Sequence, residues 1–94
     1  MPYIRMEERE KYYELIDQLF DVLKNLENDV LAGELNFVFF SLADMLVREH
    51  PTNNRNYARM AVVSSALSEA QAEFRRRNMG PYEDKAIIKN GDIL

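Results

Sequence analysis

Four groups of side chains in this sequence have types and spacings that could do chemistry. The first is a stripe of carboxylates, Glu10, Glu14, Asp17 and Asp21, whose intervals of four, three and four place them on one face of a helix. Such a face could offer oxygen ligands to a hard divalent cation. The second is a set of basic and aromatic residues: Tyr3, Arg5, Arg9, Tyr12 and Tyr13 near the start, Arg55, Tyr57 and Arg59 in the middle, and Arg76, Arg77, Tyr82 and Lys85 near the end. Guanidinium groups hold phosphates bidentately, and tyrosine rings stack on bases. The third is the run Arg75-Arg76-Arg77. Successive helical residues point about 100 degrees apart, so these arginines spread around a helix instead of forming one clamp. One of them is expected to reach Glu73 or an adjacent helix, and another to cover apolar surface with its stem. The fourth is His50, the only histidine. One histidine without cysteine makes neither a zinc site nor a triad, and beside Pro51 it reads as a residue that favours the C-terminal end of a helix dipole.

The elements that must position these groups are helical. Tyr12, Leu15, Ile16, Leu19, Leu23, Leu26 and Val30 recur at three and four, which predicts a helix over 7–31 that stops at Ala32-Gly33. A second helix is expected over 34–49, with Leu35, Val38, Phe39, Leu42 and Leu46 on one stripe and Phe37, Phe40, Met45 and Val47 off it. A helix apolar nearly all round needs cover on more than one face. His50-Pro51-Thr52-Asn53-Asn54 reads as a break. A third helix is predicted over 55–78, its core stripe running through Tyr57, Met60, Val63, Leu67, Ala70 and Phe74. Gly80-Pro81 is expected to close it, leaving residues 80–94 as an extended tail docked on the body. A parallel stripe of small residues, Ala58, Ala61, Ser65, Ser68 and Ala72, would let another helix approach closely.

Short links favour antiparallel neighbours, so the expected fold is all-α: one antiparallel three-helix bundle with ordered, extended N- and C-terminal segments. Three helices cannot cover both the aromatics of the second helix and the small-residue stripe. A homo-oligomer, a dimer or larger, is therefore expected, with Phe37, Phe40, Ala58, Ala61, Ser65, Ser68 and Ala72 at the interface.

Composition narrows the function. The chain has 94 residues, 47% hydrophobic and 30% charged, which is the profile of one ordinary globular domain. No cysteine is present, so disulfides and thiolate chemistry are excluded. A formal charge of -4 disfavours duplex nucleic acid, which demands a dominant basic face. The opening MPYIRMEEREKYY lacks the apolar run of a signal peptide, and no stretch reads as a membrane span, so a soluble, cytoplasmic protein is expected.

The head MPYIRMEER, the central GELNFVFF and the tail PYEDKAIIKNGDIL together resemble an uncharacterised family of short proteins from phage, bacterial and archaeal genomes. In that family the tail runs Pro-Tyr-Glu-Asp-Lys-Lys-Ile before Asn-Gly-Asp, and Ala86 stands here where a lysine is usual. The resemblance implies a viral or prokaryotic setting and carries no mechanism.

The expected function is that of a small non-enzymatic, phage-type accessory binding protein without a cofactor. If the first and third helices are antiparallel, Arg5, Arg9 and Tyr12 approach Arg76, Arg77, Tyr82 and Lys85. That subunit-shared corner would capture a nucleotide-like anion, such as a defence signal. The first alternative is a protein-protein interaction module or an inhibitor of a host protein. A second is a magnesium-dependent all-α nucleotide pyrophosphohydrolase, because Glu14 and Asp17 have that class's ExxD spacing. Against it, Glu69 and Glu73 are four apart, so a second copy of the motif is missing.

Overall fold

The computed structural model describes residues 4–49 and 56–94. The described residues are all-α: α1 (Met6–Leu23), α2 (Asn28–Arg48), α3 (Tyr57–Phe74) and, beyond a π-helical turn at Arg75–Met79, α4 (Gly80–Asn90). They divide into two units, Met1–Met45 and Leu46–Leu94, taken separately below. The break expected at His50 to Asn54, the residues Tyr3 and Arg55, and the expected helix start at Arg55 lie outside the described residues.

In the first unit α1 starts after Arg5, whose backbone is extended (φ -62°, ψ 149°) and whose carbonyl accepts from the Glu8 N–H at 2.9 Å. Glu7 and Glu8 in the first turn complement the helix dipole. The helix does not reach residue 31. It ends at Lys24, whose N–H donates to the Phe20 carbonyl at 2.8 Å, and Leu26 N–H then donates to Leu23 O at 3.1 Å in a tight turn. Asn25, Asn28 and Asp29 are residue types of low helix propensity that cluster at this junction. Asp29 Oδ1 accepts from the Val30 N–H at 2.9 Å. α2 then opens with the Leu31 N–H on the Glu27 carbonyl at 2.7 Å.

The stop expected at Ala32-Gly33 is thereby corrected, since both residues lie inside α2. Gly33 keeps helical backbone, and nothing lies within 4 Å of where a Cβ would stand. A glycine permits a left-handed stop without imposing one. Joining residues 28–33 to the predicted second helix also lengthens the apolar run. The resulting 21-residue helix, with mean hydropathy 1.7 over its best window, is long and apolar enough to cross a membrane by length and composition. The sequence reading had found no such stretch. Within this unit α1 and α2 do not pack along one another, so the antiparallel pair expected from their short link is not formed.

In the second unit Asn56 caps α3. Its backbone is extended (φ -76°, ψ 149°), and its side chain accepts from the Arg59 N–H at 2.8 Å. The Arg59 Nε donates to the Leu46 carbonyl at 2.5 Å, satisfying an acceptor in the last turn of α2. The expected stop at Gly80-Pro81 is also corrected. Backbone angles stay right-handed through Arg75 (φ -60°, ψ -45°), Met79 (φ -79°, ψ -38°) and Gly80 (φ -55°, ψ -54°), so helical backbone runs from Tyr57 to Asn90.

The π turn explains how. Pro81 has no N–H to donate, and its ring crowds the carbonyl four residues back. Gly80 N–H reaches Arg75 O, five residues back, which widens the turn ahead of the ring. Asn78 Nδ2 donates to Phe74 O at 3.2 Å beside it. Pro81 then occupies the first turn of α4, where a missing N–H costs nothing. The expected extended tail is thus a helix to Asn90, and the stop comes at Gly91. There φ is 87° and ψ 153°, a region essentially reserved for glycine, with Gly91 N–H on Ile87 O at 2.8 Å.

No described residue is buried. The physical reason is plain within each unit, because helices that do not pack side by side cannot enclose a core.

Candidate functional site

The first turns of α1 hold the basic and aromatic residues closest together. Ile4, Arg5, Glu8, Lys11 and Tyr12 line an open groove of about 390 Å³. That volume falls in the range of small-molecule sites. Helical spacing assembles it, because residues three and four apart stack on one side of the helix. Lys11 Nζ lies 3.3 Å from Glu8 Oε2 and 5.3 Å from the centroid of the Tyr12 ring. The ammonium is thus held between a carboxylate and an aromatic face. Both members of the ion pair are well exposed, so the pair is worth only tenths of a kcal/mol, about 0.2–0.5.

Of the three predicted residues in this region, Arg5 and Tyr12 line the groove and Arg9 does not. Arg9 Nε turns back to donate to the Ile4 carbonyl at 3.1 Å, tying the preceding extended residue to the helix. Lys11 and Glu8 were not singled out as site residues by the sequence reading. Their signal was available as opposite charges three apart, next to a tyrosine.

Arg76, Arg77, Tyr82 and Lys85 belong to the second unit. Arg76 Nη2 and Arg77 Nε both donate to the same oxygen, Glu73 Oε1. The expectation that one arginine reaches Glu73 is therefore exceeded. Arg76 and Arg77 follow Glu73 by three and four residues, so helical spacing brings both guanidinium groups to one carboxylate, and Glu73, Arg76 and Arg77 together carry one net positive charge. Tyr82 and Lys85 lie three apart on α4, hence on one side of it, and Tyr82 is 76% exposed. Of the predicted corner, Arg9 and Tyr12 lie on α1 with Arg5 just before it in the first unit, and Arg76, Arg77, Tyr82 and Lys85 lie on the helical run of the second.

Glu10, Glu14, Asp17 and Asp21 all lie on α1, and Asp21 is held by Lys24 at 3.1 Å. Among the described residues no three His, Cys, Asp or Glu side chains converge as a metal site would require. The predicted interface residues are all exposed, Phe37 and Phe40 at 70% each, and Ala58, Ala61, Ser65, Ser68 and Ala72 lie along α3. Tyr57, expected in a core stripe, is 83% exposed, and Leu67 and Phe74 of that stripe are exposed as well.

The described residues define a small all-α protein. More particularly, residues 1–93 match the family described as Domain of unknown function (DUF6899), and the chain belongs to that family. Comparison with curated proteins and with solved structures gives no match.

Proposed function

We propose that this chain is a small non-enzymatic binding protein that acts as a homo-oligomer, its single helical bundle being completed between copies. The observation that supports this most is the bare apolar surface of α2. Phe37, Phe39 and Phe40 are 70%, 52% and 70% exposed, and Leu42, Met45 and Leu46 are exposed beside them. Leaving a phenylalanine or leucine in water instead of burying it forfeits about 1.5–3 kcal/mol per side chain. In proteins most helical stability comes from packing an apolar face.

The sharper form of the reading assigns the ligand. A nucleotide-like anion fits the basic and aromatic groove, with Arg5 on phosphate, Tyr12 on a base and Lys11 as a second cation. Arg76, Arg77, Tyr82 and Lys85 would complete the site where subunits meet. Stoichiometric capture needs no catalytic group, and the phage and prokaryotic resemblance of the head and tail supports an accessory role in the cytoplasm. Thermal shift against cyclic and linear nucleotides tests it, because a ligand at 100 times its Kd stabilises the folded state by about 2.7 kcal/mol. A rise in Tm that Arg5→Ala abolishes is expected. An unchanged Tm at millimolar nucleotide would refute ligand capture.

A second reading, a module that occupies a host protein, is favoured by the same exposed Phe37 and Phe40 together with the acidic face of α1. A specific host protein recovered with the wild-type chain and lost with Phe37→Ala would establish it in place of self-association.

A further inference from the structure

We propose that α2 pairs antiparallel with α2 of a second copy, through the face carrying Val30, Gly33, Phe37, Phe40, Asp44 and Arg48. This rests on the reading of the chain as a homo-oligomer and goes further by naming the surface and its geometry. Those six positions recur at three and four along α2, so they lie along one side of the helix. Two bare aromatic rings stand at the middle of that side, and charged residues stand toward its C-terminal end. Aromatic residues at the centre with charges at the rim is the ordinary anatomy of a protein interface.

The ends of the helix decide between copies and between directions. Asp29 lies in the first turn of α2 and Arg48 in its last. An antiparallel pair centred between Phe37 and Phe40 sets Phe37 opposite Phe40 of the second copy, and Asp29 opposite Arg48 of the second copy, twice by symmetry. Within its own chain Arg48 Nη1 holds Glu49 at 2.6 Å. A parallel pair would instead set Asp29 against Asp29 and Arg48 against Arg48. Gly33, with nothing within 4 Å of where a Cβ would stand, falls opposite Asp44. On the other side of α2, Leu31, Leu35 and Val38 are half-buried, and Phe39, Leu42 and Met45 are 52%, 59% and 52% exposed, so Phe37 and Phe40, at 70% each, are the barest large side chains of the helix. A bilayer fits the length of α2 but would have to take up the carboxylates of Glu34 and Asp44, which lie inside the helix.

The chain has no cysteine, so single-cysteine variants report contacts cleanly. Ser41→Cys, near the centre of the pairing, is expected to give a covalent dimer with a short bismaleimide, whereas Leu42→Cys, on the Leu31, Leu35 and Val38 side, is not. Asp29→Arg and Arg48→Asp are each expected to weaken self-association about tenfold, since each change disrupts two rim pairs. The double variant is expected to recover to within about threefold of the parent. An oligomer that persists without the Ser41→Cys crosslink, or a double variant as weak as the two single effects combined, would overturn the pairing and leave the homo-oligomer intact. A chain that stays monomeric at all concentrations would overturn both. Insertion of α2 into phosphatidylcholine-phosphatidylglycerol vesicles without the crosslink would assign the face to a bilayer and overturn the pairing.

Discussion

α2 and the helical run from Tyr57 to Asn90 are both long and both bare, yet they are bare in different ways. α2 exposes phenylalanine and leucine around most of its circumference, with charges sparse inside it. The longer run exposes Ala58, Ala61, Ser65, Ser68 and Ala72 along α3, three arginines in the π turn and a polar α4. A bare phenylalanine leaves far more apolar surface in water than a bare alanine does. On the reading proposed above, α2 supplies the drive for assembly, whereas the small residues of α3 only permit a helix to come close.

The largest effect should come from charging the centre of α2. Phe37→Asp with Phe40→Asp is expected to abolish the oligomer and cost more than about 3 kcal/mol per protomer, read by light scattering and thermal melting. If only α3 mediated assembly, the double variant would keep the parent's mass. Next comes Lys85→Pro, which places a proline in the interior of α4. It should cost about 3 kcal/mol locally and lose helical signal and amide protection over α4. An unstructured tail would show no such change.

Smaller effects sharpen the same contrast. Asn56→Ala removes the side-chain acceptor of the Arg59 N–H and should lower stability by about 1 kcal/mol, measured by urea denaturation. Gly33→Ala should raise stability by about 0.5–1 kcal/mol, because Gly33 has helical backbone and open space for a Cβ. A loss of stability in that variant would mean that the chain does stop at Gly33.

Much of this was legible in the sequence, and the exceptions share a cause. The helical periods of α1, α2 and α3 predicted helices, because apolar residues at three and four report the backbone directly. The errors fell on punctuation. Ala32-Gly33 and Gly80-Pro81 were read as stops, but neither glycine leaves right-handed backbone. At Gly80 the π turn makes room for Pro81, and the true stop is Gly91, the glycine with positive φ. The real end of α1 was written in Asn25, Asn28 and Asp29, whose weaker signal the stronger glycine concealed. At the candidate site, Arg5 and Tyr12 were identified from residue type alone. Lys11 was missed because its place in the groove depends on which neighbours share its side of the helix, as was the diversion of Arg9 to the Ile4 carbonyl.

The central claim is that copies of the chain complete one another. Sedimentation equilibrium of the full chain across a wide concentration range tests it most directly. The account predicts a mass that is a whole multiple of 11.0 kDa, falling toward the single-chain value on dilution together with loss of helical signal. A particle of 11.0 kDa at every concentration that still unfolds cooperatively would contradict it.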